Sequence, residues 1–163
     1  MKRSHILTAT LTSVLIILAF AGVGFTGVVK GASWNRIEPL KSRRADVINI
    51  LGPAVSESPE GVLRFNVSGG SVQVSFVDGK FVKTKRLSPE LEGTVLQIIL
   101  QHDHSSDSPE SMDLLKNRQF VRDNVQGVSI FRNAKEGLIY TFIDGRLKTT
   151  RYTFADGQLH GRR

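Results

Sequence analysis

The sequence predicts an α+β fold in which two tandem helix-plus-antiparallel-hairpin repeats form one sheet with helices on one face, after an N-terminal export segment. Three observations predict it. The chain matches itself without gaps at an offset of 66 residues: Gly61-Val62 falls on Gly127-Val128, Phe65 on Phe131, Phe76 on Phe142, Asp78-Gly79 on Asp144-Gly145 and Thr84 on Thr150. Self-similarity at a fixed period marks a duplicated supersecondary unit. Within each copy, apolar and polar residues alternate as they do in half-buried strands. Helix-start residues stand ahead of each copy, at Ser42 and at Ser108-Pro109-Glu110, where a hydroxyl can accept an otherwise unpaired amide and proline fits the first helical position.

The elements divide the chain into 1-33 as signal peptide or membrane anchor, 34-101 as the first repeat, 102-107 as a linker, 108-157 as the second repeat and 158-163 as a disordered tail. Lys2 and Arg3 precede an uncharged apolar stretch from Ile6 to Val29. A basic start followed by such a stretch is an export signal, and it places everything after it across the membrane from the cytoplasm. Ala19-Phe20-Ala21 and Gly31-Ala32-Ser33 both have the small-x-small form of a cleavage site. The stretch is also long enough to remain as an anchor, since its residues at about 1.5 Å each reach roughly 36 Å against a hydrocarbon core of about 30 Å.

In the first repeat, Ser42 can cap a helix running to about Leu51, with Val47, Ile48, Ile50 and Leu51 apolar and Gly52-Pro53 ending it. Leu63-Phe65-Val67 and Val72-Val74-Phe76 alternate around a Ser68-Gly69-Gly70-Ser71 turn. Asp78-Gly79 is a hairpin-turn signal, because both residues tolerate the positive φ of a tight primed turn, and it predicts a third strand over 80–87. Thr94 to Leu100 reads as a further, largely buried strand. In the second repeat a helix is expected from Ser108 through Leu115, then strands near Val128–Arg132, Leu138–Ile143 and Arg146–Phe154, with Asp144-Gly145 as the turn. One helix over three strands leaves too much apolar surface exposed, so the copies are expected to pack into one body.

The segment Pro39-Leu40-Lys41-Ser42-Arg43-Arg44-Ala45-Asp46-Val47-Ile48-Asn49-Ile50-Leu51-Gly52-Pro53, followed by strands turning at Val77-Asp78-Gly79, resembles the SmpA/OmlA (BamE-like) family of envelope proteins. Two such units in tandem resemble the arrangement of beta-lactamase inhibitor protein, and the chain is also similar to uncharacterised secreted proteins with a Trp-x-x-Ile-x-Pro-Leu opening, here Trp34 to Leu40. The resemblance implies an envelope module that works by protein contact. It carries over no partner-contacting residue. The lipid-anchoring cysteine of the family has no counterpart here, because the chain contains no cysteine.

That absence also removes disulfide frameworks, thiolate metal sites and thiol nucleophiles. Of the net +7, three charges come from Lys2, Arg3 and Lys30. The remaining excess of about +4 falls short of a nucleic-acid footprint, so Lys41-Arg43-Arg44 and Lys80-Lys83-Lys85-Arg86 read as solvated faces. His102-Asp103-His104, with Asp107, is the one cluster with metal-ligand chemistry, but a His-x-His pair needs a third ligand, and a solvated polar loop is the expectation. No serine stands in a nucleophile-elbow context. Asp78 and Asp144 read as turn residues rather than paired acid and base, and no Gly-rich phosphate loop occurs. Trp34 is expected to pack over the first helix, the alternative being the membrane interface. Gln73, Ser75, Lys83, Lys85, Thr141, Lys148 and Thr150 form the expected polar strand face, where a binding surface would lie.

No catalytic, cofactor-binding or metal residue is assigned, and no cofactor is expected. The expected function is a non-enzymatic cell-envelope module that binds another envelope protein, as assembly factor or inhibitor. The alternative is a small-ligand or metal-binding envelope protein. No nucleic acid is expected as partner, and the membrane is met only through the N-terminal segment if it is uncleaved. The expected location is extracytoplasmic, periplasmic or secreted, or anchored in the inner membrane with the folded part outside.

Overall fold

A computed structural model of the chain describes residues 31–159. The apolar stretch with its Ala19-Phe20-Ala21 site, and His160, lie outside the described residues. Two helices, α1 (Arg44–Leu51) and α2 (Gly79–Lys85), accompany strands β1 (Ser56–Glu57), β2 (Leu63–Val67), β3 (Gly70–Phe76), β4 (Val95–His102), β5 (Val121–Val125), β6 (Val128–Asn133), β7 (Leu138–Ile143) and β8 (Arg146–Thr153). All eight strands form one antiparallel sheet in the order β1-β2-β3-β4-β8-β7-β6-β5. The expected α+β class of two helix-plus-hairpin repeats is therefore corrected to a mainly-β fold with two short helices.

The departures have local causes. Residues 80–87, expected as a strand, hold α2 instead, because Asp78 adopts an extended backbone and its carboxylate accepts the Phe81 N–H at 2.6 Å as a helix cap. The expected helix from Ser108 is a run of turns. Ser108 does accept the Ser111 N–H, as a cap would, but Asp113 takes a left-handed φ of 54° and breaks the winding after one turn. Ser42 is not the cap of α1. Its hydroxyl accepts the Glu38 N–H, while the Arg43 N–H at the helix start donates to Asp46 Oδ2 at 2.8 Å. His102 ends β4 rather than opening a linker. Gln158 and Leu159, expected in a disordered tail, are placed: Gln158 Oε1 accepts the Ala155 N–H and Leu159 packs on a buried cluster.

Directly opposed residues of an antiparallel pair point to the same side of a sheet, so the register defines two faces. The covered face carries Leu63, Phe65, Val72, Val74, Ile98, Tyr152, Leu138, Tyr140, Phe142 and Phe131. On its first half, Ile37 and Val47 of α1 complete a fully buried cluster, with Trp34 packed against it. On its second half the turn segment supplies Leu114, Met112 and Phe120 over Phe131, Phe142 and Leu147. Phe131 and Phe142 meet edge to face, centroids 5.6 Å apart, a favourable quadrupole geometry. Burying one such ring contributes about 2–3 kcal/mol. A third cluster joins Leu40, Val77, Val82, Leu87 and Leu91 at the end of the sheet where β3 finishes and β4 begins.

The residues matched at the 66-residue offset keep the same face of the sheet but not the same register: Phe65 opposes Val72, whereas Phe131 opposes Tyr140, the counterpart of Val74, because the turn closes at Val67 and Gly70 in the first hairpin and at Asn133 and Leu138 in the second. Gly61 and Gly127 both have positive φ, at 77° and 81°, ahead of β2 and β6. Phe65 and Phe131, and Val74 and Tyr140, all lie on the covered face. Beyond Asp78 the copies part: Thr84 is exposed on α2, whereas Thr150 is buried in β8. The third strand of the first copy is β4, which pairs with β8 and joins the halves.

Candidate functional site

The face opposite the covered one contributes no side chain from its register positions to any of the three buried clusters. Its first half is polar, with Gln73, Ser75, Gln97 and Gln101. Its second half carries Ile130, Ile139, Ile143, Val121, Val125 and Val128 among Asp123, Arg132, Thr141 and Arg151 on that side of the sheet. Val121 and Val125 are 67% and 64% exposed, and Ile143 is 41% exposed. Ile99 of β4 stands between the halves, and the ion-paired Arg132 and Asp123 lie within the group, Arg132 between Val121 and Ile139 and Asp123 opposite Ile130. A group of half-exposed and exposed β-branched residues on one sheet face, crossed by a single ion pair, is the surface form of an interaction site.

Of the polar face expected from sequence, Gln73, Ser75 and Thr141 lie on this open face. Lys83 and Lys85 are on α2, and Thr150 is buried on the covered face opposite Leu100. Lys148 lines a cavity instead. The apolar residues of β5 carry no strand signal, because Arg122-Asp123-Asn124 separates Val121 from Val125, and the pattern around Val128 and Ile130 does not say which side the described residues leave uncovered.

His102 and His104 part company. His102 Nε2 lies 3.0 Å from Thr150 Oγ1, across the β4–β8 junction. Burial pushes its pKa below the ordinary value, with Asp107 opposing the shift. His104 lines a cavity of about 330 Å³ with Asp103, Ser105, Ser106, Arg146 and Lys148. No group of three or more His, Cys, Asp or Glu side chains among the described residues is placed to hold a metal ion. Asp78 and Asp144 sit at opposite ends of the sheet, after β3 and after β7, so they cannot face each other across a cleft. Trp34 pairs with Ile37 through two backbone hydrogen bonds and packs on the cluster beneath α1. A second cavity, about 340 Å³, lies between Trp34, Leu51, Val67 and Leu100.

Among the described residues no helix is long and apolar enough to cross a membrane. The fold and surface thus define a mainly-β, single-sheet protein in which the described residues pack one face and leave the other uncovered. No family model, curated protein or solved structure matches the chain.

Proposed function

We propose that this chain is a non-catalytic cell-envelope module that binds another envelope protein through the open face of its sheet, as an assembly factor or an inhibitor. The observation that carries the reading is the uncovered Ile130, Ile139, Ile143, Val121, Val125 and Val128 surface beside a Gln- and Ser-rich half. Burying it against a partner would recover about 25 cal/mol per Å² of apolar area, while the glutamine amides would supply directional hydrogen bonds at the other side. The export signal from Lys2 to Val29 supports the envelope location.

The test is in-cell photo-crosslinking, with a photoreactive residue placed in turn at Ile130, Ile139 and Gln97 on the open face and at Lys116 and Gln119 on the turn segment behind the sheet. One common adduct from the open-face positions, absent from the other two, is expected. Adducts of equal yield at all five, or none on the open face, would refute the reading.

A second reading, small-ligand or metal binding, draws on the cavity where Arg146 and Lys148 meet Ser105 and Ser106 beside His104. With Arg146 and Lys148 against the single carboxylate of Asp103, the lining carries one net positive charge and suits an anion better than a cation. Calorimetric titration with Zn²⁺ and with inorganic phosphate, against a His102→Ala/His104→Ala chain and an Arg146→Ala/Lys148→Ala chain, separates the versions; heats unchanged by both variants remove it.

A further inference from the structure

We propose that α2 is a membrane-contact element: when the apolar N-terminal segment is retained in the bilayer, Lys80, Lys83, Lys85 and Arg86 lie against anionic lipid headgroups. The inference rests on the envelope reading above, because it needs the export segment, and it adds a second surface distinct from the open face.

The first support is where the chain enters the fold. The apolar stretch ends at Val29, and Gly31 is already packed: a Cβ placed on it would lie 3.3 Å from Thr153 O and 3.4 Å from Ala155 N. The Ala32 N–H donates to Glu136 O at 2.6 Å. Lys30 is the only residue between the apolar stretch and the fold. With consecutive Cα atoms about 3.8 Å apart, Gly31 lies within roughly 8 Å of Val29. So short a connection leaves the body no room to turn away, and this end of the sheet must face the bilayer.

The second support is what else stands at that end. β8 finishes there beside the start of β4, and α2 bridges the gap between β3 and β4. Phe81 of α2 packs on Phe154, with ring centroids 6.3 Å apart. Phe154 lies between Thr153 and Ala155, the two residues whose backbone Gly31 approaches, so the entry point of the chain and α2 meet the same segment.

The third is charge. Lys80, Lys83, Lys85 and Arg86 are all exposed, and none forms an ion pair with a described residue. Asp78 shares this end but spends its carboxylate on the Phe81 N–H. Glu90 and Glu92 lower the local excess without pairing with any of the four. The apolar residues Val82 and Leu87 are buried in the fold, so α2 has no greasy face to insert. Its contact must be electrostatic and salt-sensitive, falling off over a Debye length of about 8 Å at physiological ionic strength.

The chain has no cysteine, so single sites label cleanly. The full chain carrying Thr84→Cys on α2, or Ser68→Cys in the β2–β3 turn at the far end, is labelled with a fluorophore. It is then reconstituted into vesicles of phosphatidylcholine with 30% phosphatidylglycerol, or of phosphatidylcholine alone, each with a headgroup-borne quencher. In the anionic vesicles the label at 84 should be quenched about threefold more than the label at 68. That ratio should fall in 0.5 M salt, in phosphatidylcholine alone, and when Lys80, Lys83, Lys85 and Arg86 are all changed to Gln. Equal quenching at 84 and 68 with the segment inserted overturns the membrane contact and leaves the open-face reading standing. Failure of the chain to insert at all overturns this inference, since α2 would then never be held against a bilayer, and leaves the open-face reading standing.

Discussion

Asp78-Gly79 and Asp144-Gly145 are the same dipeptide at the same point of two matching hairpins, yet one starts a helix and the other turns a strand. Asp144 and Gly145 take φ of 50° and 73°, and β7 reverses directly into β8. Asp78 stays extended at φ −98° and caps α2. The residues next in the chain account for the difference. Lys80-Phe81-Val82-Lys83 offers adjacent apolar residues that a helix can turn onto one side, and Leu87, just past the left-handed Arg86 that ends the helix, joins Val82 in the same buried cluster. After Asp144-Gly145 come Thr149, Thr150, Tyr152 and Thr153, β-branched and aromatic residues suited to a pleated surface. A turn signal marks a change of direction; the side chains downstream of it choose the element.

The comparison breaks first if the halves are not one cooperative body. Phe65 and Phe131 are both 1% exposed, and changing either to Ala should cost about 3–5 kcal/mol. Because β4 and β8 join the halves, both losses should shift one urea transition. The single Trp34 packs on the first half, so Phe131→Ala should lower the midpoint read by its fluorescence as much as that read by circular dichroism. A Trp34 transition unmoved by Phe131→Ala would show that the halves unfold independently.

A smaller effect sharpens the contrast itself. Gly145→Ala forces a side chain into positive φ although nothing lies within 4 Å of the new Cβ, and should destabilise by about 1 kcal/mol. Gly79→Ala enters the first turn of α2, where the new methyl meets only the flexible end of Glu92 at 3.1 Å, and should stabilise by about 0.5 kcal/mol. Thermal unfolding of the two variants should move in opposite directions; a shift of the same sign would mean the two sites share one backbone conformation.

The smallest effect is read at the junction. Burial holds the His102 pKa below its ordinary 6.5 in the folded chain. Between those two values the unfolded chain binds more protons, so stability rises with pH through that window and is lost as pH falls. His102→Gln should flatten that part of the stability profile, and an unchanged slope would place the titrating group elsewhere.

Much of the sheet could be read along the chain. Leu63-Phe65-Val67 and Val72-Val74-Phe76 alternate and form β2 and β3, Thr94 to Leu100 falls mostly in the central strand β4, and Asp144-Gly145 turns as expected. The open-face site was half legible: Gln73, Ser75 and Thr141 were singled out, whereas Ile130, Ile139 and Val125 were not. Which side of a strand is apolar is local information, but which side is left bare depends on where distant segments settle. The helix expected from Ser108 fails for a related reason, since Leu114 must reach Phe131 and Leu147 and the turn at Asp113 delivers it.

The residues alone determined the alternation of β2 and β3, the turn at Asp144-Gly145, the missing cysteine chemistry and the basic, apolar start of the chain, because each depends on neighbours within a turn or two. Tertiary structure alone decided that β4 and β8 join the halves, that one face stays open and that α2 stands beside the point of chain entry. Those outcomes arise from pairing between residues some 50 positions apart, such as His102 and Thr150, and no local propensity encodes which distant strand will satisfy an exposed row of amides.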